Sequence, residues 1–211
     1  MSEFIETIIG GGGQAGLAIS YYLKQEWREH LVLERAPAIA NAWPNQLWDS
    51  FTLVTPNFQV RMPGAEYDGN DPYGFMSLRE VVKYFDDYVQ RYRLPVRCGV
   101  EVQGVEKRES IFRVRTTDRD YEAKNVVIAN GLYQSPKIPA FAAAIRADIP
   151  QLHSMQYRNP SVLPHGTVLV IGTGQFGSAD CRGTLSVGKE GPSLDRQRRP
   201  RASSISRKGH Q

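Results

Sequence analysis

The 211 residues include only two cysteines, Cys98 and Cys181, too far apart for a CxxC pair or a metal-ligand spacing. A disulfide-stapled scaffold and a cysteine-rich zinc module are thereby excluded, and no metal site is expected. No apolar run approaches the roughly 20 residues that a bilayer-spanning helix requires, so no membrane partner is expected. The opening segment, MSEFIETIIG, carries two acidic residues and no basic region, unlike a secretory signal. The default these absences leave is a reduced, cytoplasmic, soluble protein.

Hydrophobic residues make up 41% and charged residues 23%, the balance of an ordinary globular chain. The pI of about 9.1 raises the question of nucleic acid. From residue 181 onward there are eight Lys or Arg against two acids, a net +6. The whole chain is +4, so residues 1–180 carry −2. The excess positive charge is confined to the end of the chain, and no nucleic-acid partner is expected.

Residues 4–9 (FIETII) have the short, β-branched character of a buried strand running straight into glycines. Helical periodicity follows over 14–26, with Leu17, Tyr21 and Lys24 spaced to share an inward face, and 31–34 (LVLE) is a second strand. Strand, glycine turn, helix and strand within about 30 residues define a βαβ unit of a parallel α/β sheet. Residues 37–75 lose periodicity and are rich in Pro, Gly, Asn and aromatics, as in an ordered, loop-rich excursion. Ser77 with Glu80 three residues later opens a helix over 77–92. Strands are expected near 98–106, 111–117 and 120–122 as a small antiparallel element, then over 125–129 and 167–171.

Gly11-Gly12-Gly13-Gln14-Ala15-Gly16 fits GxGxxG. In this motif Gly11 permits the tight turn, Gly13 lets the backbone approach a pyrophosphate, and Gly16 lets helix and strand pack closely. The helix N-terminus offers free N–H groups and the positive end of its dipole to phosphate. Glu34, 18 residues after Gly16, is placed to accept hydrogen bonds from a ribose diol, and its charge disfavours a 2′-phosphate. FAD or NAD, rather than NADP, is the expected dinucleotide here. A glycine turn that merely packs is the bland alternative. A second fingerprint, Gly172-Thr173-Gly174-Gln175-Phe176-Gly177, follows the strand-like VLVI.

Two such motifs about 160 residues apart resemble the two-dinucleotide-binding flavoproteins, which hold FAD on the first and NAD(P)H on the second. Three segments narrow the resemblance to flavin-containing monooxygenases and their bacterial relatives. Asn41-Ala42-Trp43 resembles the family's turn at the flavin. Residues 129–139 (ANGLYQSPKIP) are similar to its ATGxYSxPxxP segment, which implies Gly131 at the FAD. His153 and Tyr157 match the HxxxY end of its fingerprint, while Ala147 and Ile149 stand where the Phe and Gly would be. The resemblance implies FAD held by Gly11, Gly13, Gly16, Glu34, Trp43 and Gly131, and NADPH, or NADH, held by Gly172, Gly174 and Gly177. It implies Asn57, His153 and Tyr157 as candidate catalytic residues, although His153 alone could equally be a satisfied structural histidine and Tyr157 a packing residue. The implied activity uses NADPH and molecular oxygen to oxygenate a soft nitrogen or sulfur of a small molecule. The absent CxxC counts against the disulfide-reductase branch. Another NAD(P)H-dependent flavin reductase or oxidase, or an inactive fragment with weak FAD binding at most, remains open, as does the oligomeric state.

The expected organisation is α/β: a three-layer Rossmann-like FAD-binding domain over 1–150, incomplete without a C-terminal return. A linker and the start of a second dinucleotide-binding domain follow over 151–178, then an irregular basic tail over 179–211. That tail has no apolar stripe, and its codons can be chosen so that a one-base shift at Ala179 reads QIAEELYQSGRKV, an amphipathic helix suited to follow a glycine turn. The tail is therefore expected to be disordered or out of frame.

Overall fold

The computed structural model describes residues 2–132 and 134–172. Gly174, Gly177, Cys181 and the basic tail lie outside the described residues, as do the expectations placed on them.

The first strand, β1 (Glu3–Gly10), leads into α1 (Gln14–Gln25) and then β2 (His30–Glu34), as the apolar runs and glycines predict. After α2 (Ala42–Gln46), the hairpin strands β3 (Arg61–Met62) and β4 (Ala65–Glu66), and α3 (Leu78–Tyr92), the chain re-enters the sheet. It does so as β5 (Val96–Cys98), β6 (Val102–Arg108), β7 (Ile111–Thr116) and β8 (Tyr121–Ile128). The six-stranded sheet runs β5-β2-β1-β8-β7-β6. Its β5-β2-β1-β8 portion is parallel, and β8-β7-β6 is antiparallel.

The second half of β1 is buried on both faces, which is why Ile8 and Ile9 follow one another instead of alternating with polar residues. Ile8 packs with Leu33, Val100, Val114, Tyr121 and Ala123 on one face. Ile9 points the other way, its Cγ2 3.4 Å from the place a Gly16 Cβ would take on α1. The antiparallel hairpin covers the face opposite α1. In a flat sheet β6 would lie roughly 14 Å from β1, three strands away at about 4.8 Å each. Instead Val102 Cγ2 is 3.8 Å from the Cβ position of Gly10, so β6 and β7 curl back over the sheet. Helices, sheet and curled hairpin make three layers.

α3 packs against α1, and Val81, Phe85 and Tyr88 join Leu17 in one core cluster. It opens on the expected capping box: the Glu80 amide donates to Ser77 Oγ at 3.4 Å, and the Ser77 amide to Glu80 Oε2 at 2.7 Å. Its tyrosines at i, i+4 and i+8 clamp the β3–β4 hairpin. Tyr84 Oη accepts from the Met62 amide at 2.8 Å and donates to the Ala65 carbonyl at 2.5 Å. Tyr88 donates to the Pro63 carbonyl at 2.9 Å, and Tyr92 to that of Gly64. Burial pushes the Tyr84 and Tyr88 phenols up, so both stay neutral donors. Beneath α1, buried His30 is satisfied at both ring nitrogens, 2.8 Å from Ser20 Oγ and 2.8 Å from the Arg28 carbonyl.

Four local expectations are corrected. Lys24 is exposed and donates to the Arg93 carbonyl at 2.7 Å; the buried face of α1 is Gly16, Leu17 and Ser20. The run 98–106 is two strands separated by Gly99, whose φ of +76 breaks the extended chain. Segments 120–122 and 125–129 are one strand, β8, which pairs with β7 at Tyr121–Ala123 and with β1 along its length, so the antiparallel element belongs to the main sheet. Residues 167–171 are not a strand: no described strand pairs with them, and Leu169 is 83% exposed. An apolar run lacking a hydrogen-bonding neighbour has no ladder to hold it extended.

Candidate functional site

The C-terminal edge of β1 is where the glycines act. Gly11 has φ +122, and a Cβ there would fall 2.4 Å from the Ala129 carbonyl oxygen. A Gly16 Cβ would fall 2.0 Å from the Gly11 carbonyl oxygen. Both positions require glycine for packing within the fold. Gly13 differs: its φ is −91, and nothing lies within 4 Å of where its Cβ would point. That open volume faces the start of α1, which has no side-chain cap and no acid in its first turn. Uncapped N–H groups, the helix dipole and a cleared approach are the features that a pyrophosphate-binding turn requires.

Glu34 is drawn into the turn. Its Oε2 accepts the Gly12 amide at 2.7 Å and its Oε1 the Ala36 amide at 2.8 Å. Each oxygen keeps a further lone pair for a ribose hydroxyl. Cys98 lies opposite Glu34 in the sheet register. Burial first, then the Glu34 and Asp86 carboxylates, push its thiol up, so it is no thiolate nucleophile. The Gly12 carbonyl accepts from the Ala40 amide at 3.0 Å, and Ala40 adopts a left-handed φ of 51. Gly12 is thus held on both sides, a role the GxGxxG pattern does not reveal because its second position is free to vary.

The other candidates fall in three places. Gly131, with φ +78, turns the chain away from β8, and the neighbouring Asn130 nitrogen is 3.0 Å from the Gly11 Cβ position, so this turn rims the glycine loop. Trp43 on α2 is half-buried, its ring 6.0 Å from Phe51 and 6.2 Å from Phe85. Asn57 is 5% exposed; its Nδ2 donates to the Asp71 carbonyl at 2.8 Å, while buried Oδ1 has no partner. An unpartnered buried acceptor is costly and marks a place where a donor is wanted.

His153 caps the turn at Ser154–Gln156, its Nδ1 accepting from the Met155 amide at 3.2 Å, and this turn packs on α2. Tyr157 is buried with Leu47 and Trp48. Gly172 has φ +123 with nothing within 4 Å of its Cβ position. The structure brings Gly11, Gly13, Gly16, Glu34 and Gly131 together, sets Trp43, His153 and Tyr157 around α2, and leaves Gly172 exposed. Among the described residues, no helix is long and apolar enough to cross a membrane.

Several known proteins are similar to this chain. The "uncharacterized oxidoreductase CzcO-like" protein of Geobacillus kaustophilus is 37% identical over 178 residues, 84% of this chain and 51% of that protein. A probable indole-3-pyruvate monooxygenase of Arabidopsis thaliana is 27% identical over 175 residues, 81% of this chain and 42% of that one. The chain spans about half the length of the curated relatives it matches. Among solved structures, a flavin-containing monooxygenase from Stenotrophomonas maltophilia superposes with TM-score 0.80 at 27% identity, covering 89% of this chain and 56% of that one. A bacillithiol disulfide reductase from Staphylococcus aureus shares the fold at TM-score 0.77 and 18% identity, covering 90% and 56%. The sequence profile of the pyridine nucleotide-disulphide oxidoreductase family matches residues 7–181, which contain both glycine motifs and every strand of the main sheet after the first residues of β1, and the chain belongs to that family.

Proposed function

We propose that this chain binds FAD on the Gly11–Gly16 turn and contributes that flavin to an NADPH-dependent, oxygen-using monooxygenase. One observation supports the reading: nothing lies within 4 Å of the Gly13 Cβ position, at an uncapped helix N-terminus and next to the Gly12 amide that Glu34 holds, which is the open approach a pyrophosphate needs. Bound FAD would supply electron acceptance from the nicotinamide and activation of molecular oxygen for transfer to a nitrogen or sulfur nucleophile. The chain's residues bind and orient. The α1 N–H groups and Gly13 hold the pyrophosphate, Glu34 accepts from the ribose, and the Gly131 turn closes the rim. Asn57 Oδ1 offers an acceptor to a flavin or substrate donor, and Trp43 forms an apolar wall that excludes water. His153 and Tyr157 act from the segment leading to the second glycine motif, where NADPH would bind across Gly172, Gly174 and Gly177, with NADH as the alternative.

Fluorescence titration with FAD tests this directly. Saturable quenching at one flavin per chain supports the reading, and its loss in Gly13→Val, with the fold retained by circular dichroism, locates the site. No binding by the wild-type chain overturns it.

A second reading, FAD binding without turnover, is favoured by the irregular, exposed approach to Gly172, which has no sheet beneath it among the described residues. NADPH oxidation by the FAD-loaded chain separates the two.

A further inference from the structure

Residues 157–159 are tied to the loop after α2 by more than packing. Arg158 donates to the Leu47 carbonyl at 3.0 Å, and its own carbonyl accepts the Asp49 amide at 2.8 Å. The Asn159 side-chain amide donates to Asp49 Oδ2 at 2.6 Å. Tyr157 fills the same seam, buried with Leu47 and Trp48, with Trp43 and Phe51 packed against them. About 110 residues separate the two sides of this latch.

A continuous path leads from the latch to the glycine turn. Leu47 is the C-terminal cap of α2. At the other end of α2, the Trp43 amide donates to the Ala40 carbonyl at 3.0 Å. Ala40 holds its left-handed φ of 51 and donates its own amide to the Gly12 carbonyl at 3.0 Å. A non-glycine residue in that conformation is strained and persists only when its surroundings hold it there. A five-residue helix has little stability of its own, so its docking must come from what grips its ends.

We infer that the Asp49–Arg158–Asn159 latch positions α2 so that Ala40 holds Gly12, making these three residues positioning residues for the dinucleotide loop, although none of them lines it. Arg158 and Asn159 stand on the segment that runs on to Gly172. A movement of that segment is therefore transmitted through α2 to the loop where FAD is proposed to sit. The inference rests on that flavin reading for its functional meaning, but its structural core can be measured without flavin.

The test uses the full 211-residue chain with Asp49→Ala, Asn159→Ala, the conservative Asp49→Asn, and Lys83→Ala as a distant surface control. Hydrogen exchange without flavin is read on peptides covering residues 8–17 and 36–46. The two alanine variants should speed exchange at the Ala40 amide at least fivefold while β1 keeps its protection. Asp49→Asn, which keeps an acceptor oxygen for Asn159, should restore it. With FAD, the alanine variants should raise the Kd about tenfold and Lys83→Ala should not. Unchanged exchange overturns the inference. So does faster exchange with an unchanged Kd in a chain that binds FAD. If the wild-type chain binds no FAD, the flavin reading fails and exchange alone decides the latch. A variant that loses protection throughout the sheet shows the latch to be a general folding contact, which also overturns it.

Discussion

The carbonyl oxygen of Gly11 lies 2.0 Å from the point where a Cβ on Gly16 would stand. Two glycines five residues apart are thus packed backbone to backbone, with Ile9 beneath them at 3.4 Å. Gly13, in the same turn, touches nothing in that direction.

This contrast separates folding from binding. Gly16→Ala should destabilise the chain by about 3 kcal/mol, since backbone cannot yield as a flexible side chain does. Gly13→Ala should fall within about 0.5 kcal/mol of wild type yet weaken FAD binding. Urea unfolding midpoints and flavin titration check both. Equal destabilisation by the two variants would contradict the assignment of roles.

Glu34 stabilises the turn with or without a ligand. Glu34→Gln turns one of two charge-assisted acceptors into an amide facing an N–H donor, and should cost about 1–2 kcal/mol in flavin-free protein. Thermal denaturation without FAD reads this. A cost appearing only when FAD is present would show that the carboxylate serves the ribose alone.

Among the α3 tyrosines, Tyr84→Phe should be the most destabilising, at about 2–3 kcal/mol, because it strands both the Met62 amide and the Ala65 carbonyl. Tyr88→Phe strands only the Pro63 carbonyl and should cost about 1–2 kcal/mol. Denaturant unfolding of the two single variants gives the order.

Bonds from the Ser77 side chain, then its backbone amide, hold the Glu80 carboxyl below the usual carboxylate range. A depressed folded pKa means stability present above the unfolded value of about 4.3 and lost as pH falls through the folded one. Ser77→Ala should cost about 1 kcal/mol at pH 7, and the difference from wild type should shrink as pH drops below about 4. A difference independent of pH would show that the cap acts without the carboxylate.

Much of the fold was legible because its signals are local. Gly11, Gly13 and Gly16 between FIETII and QAGLAISYYLKQE announce a strand, turn and helix through backbone sterics alone, and Ser77 with Glu80 announces a cap. The roles of Tyr84, Tyr88 and Tyr92 were not legible, because their targets lie outside the helix. The Pro63 and Gly64 carbonyls lie some 25 residues away, across a hairpin with no periodicity of its own. Lys24 misled because spacing shows which face a residue shares, not whether a neighbour covers it. Residues 167–171 misled because apolar character permits a strand, and only a hydrogen-bonding partner makes one.

The sequence by itself determined the βαβ unit, the glycine turn and the acid at the end of β2, since all three are set by propensity and steric limits within about 30 residues. Only the tertiary structure decided that β6 and β7 curl over the sheet, that Glu34 grips Gly12 and Ala36, and that residues 157–159 latch onto 47–49. Those depend on which distant backbone groups find donors and acceptors once the chain is compact. The free energy of such pairings comes from burial, which no residue carries until the others surround it.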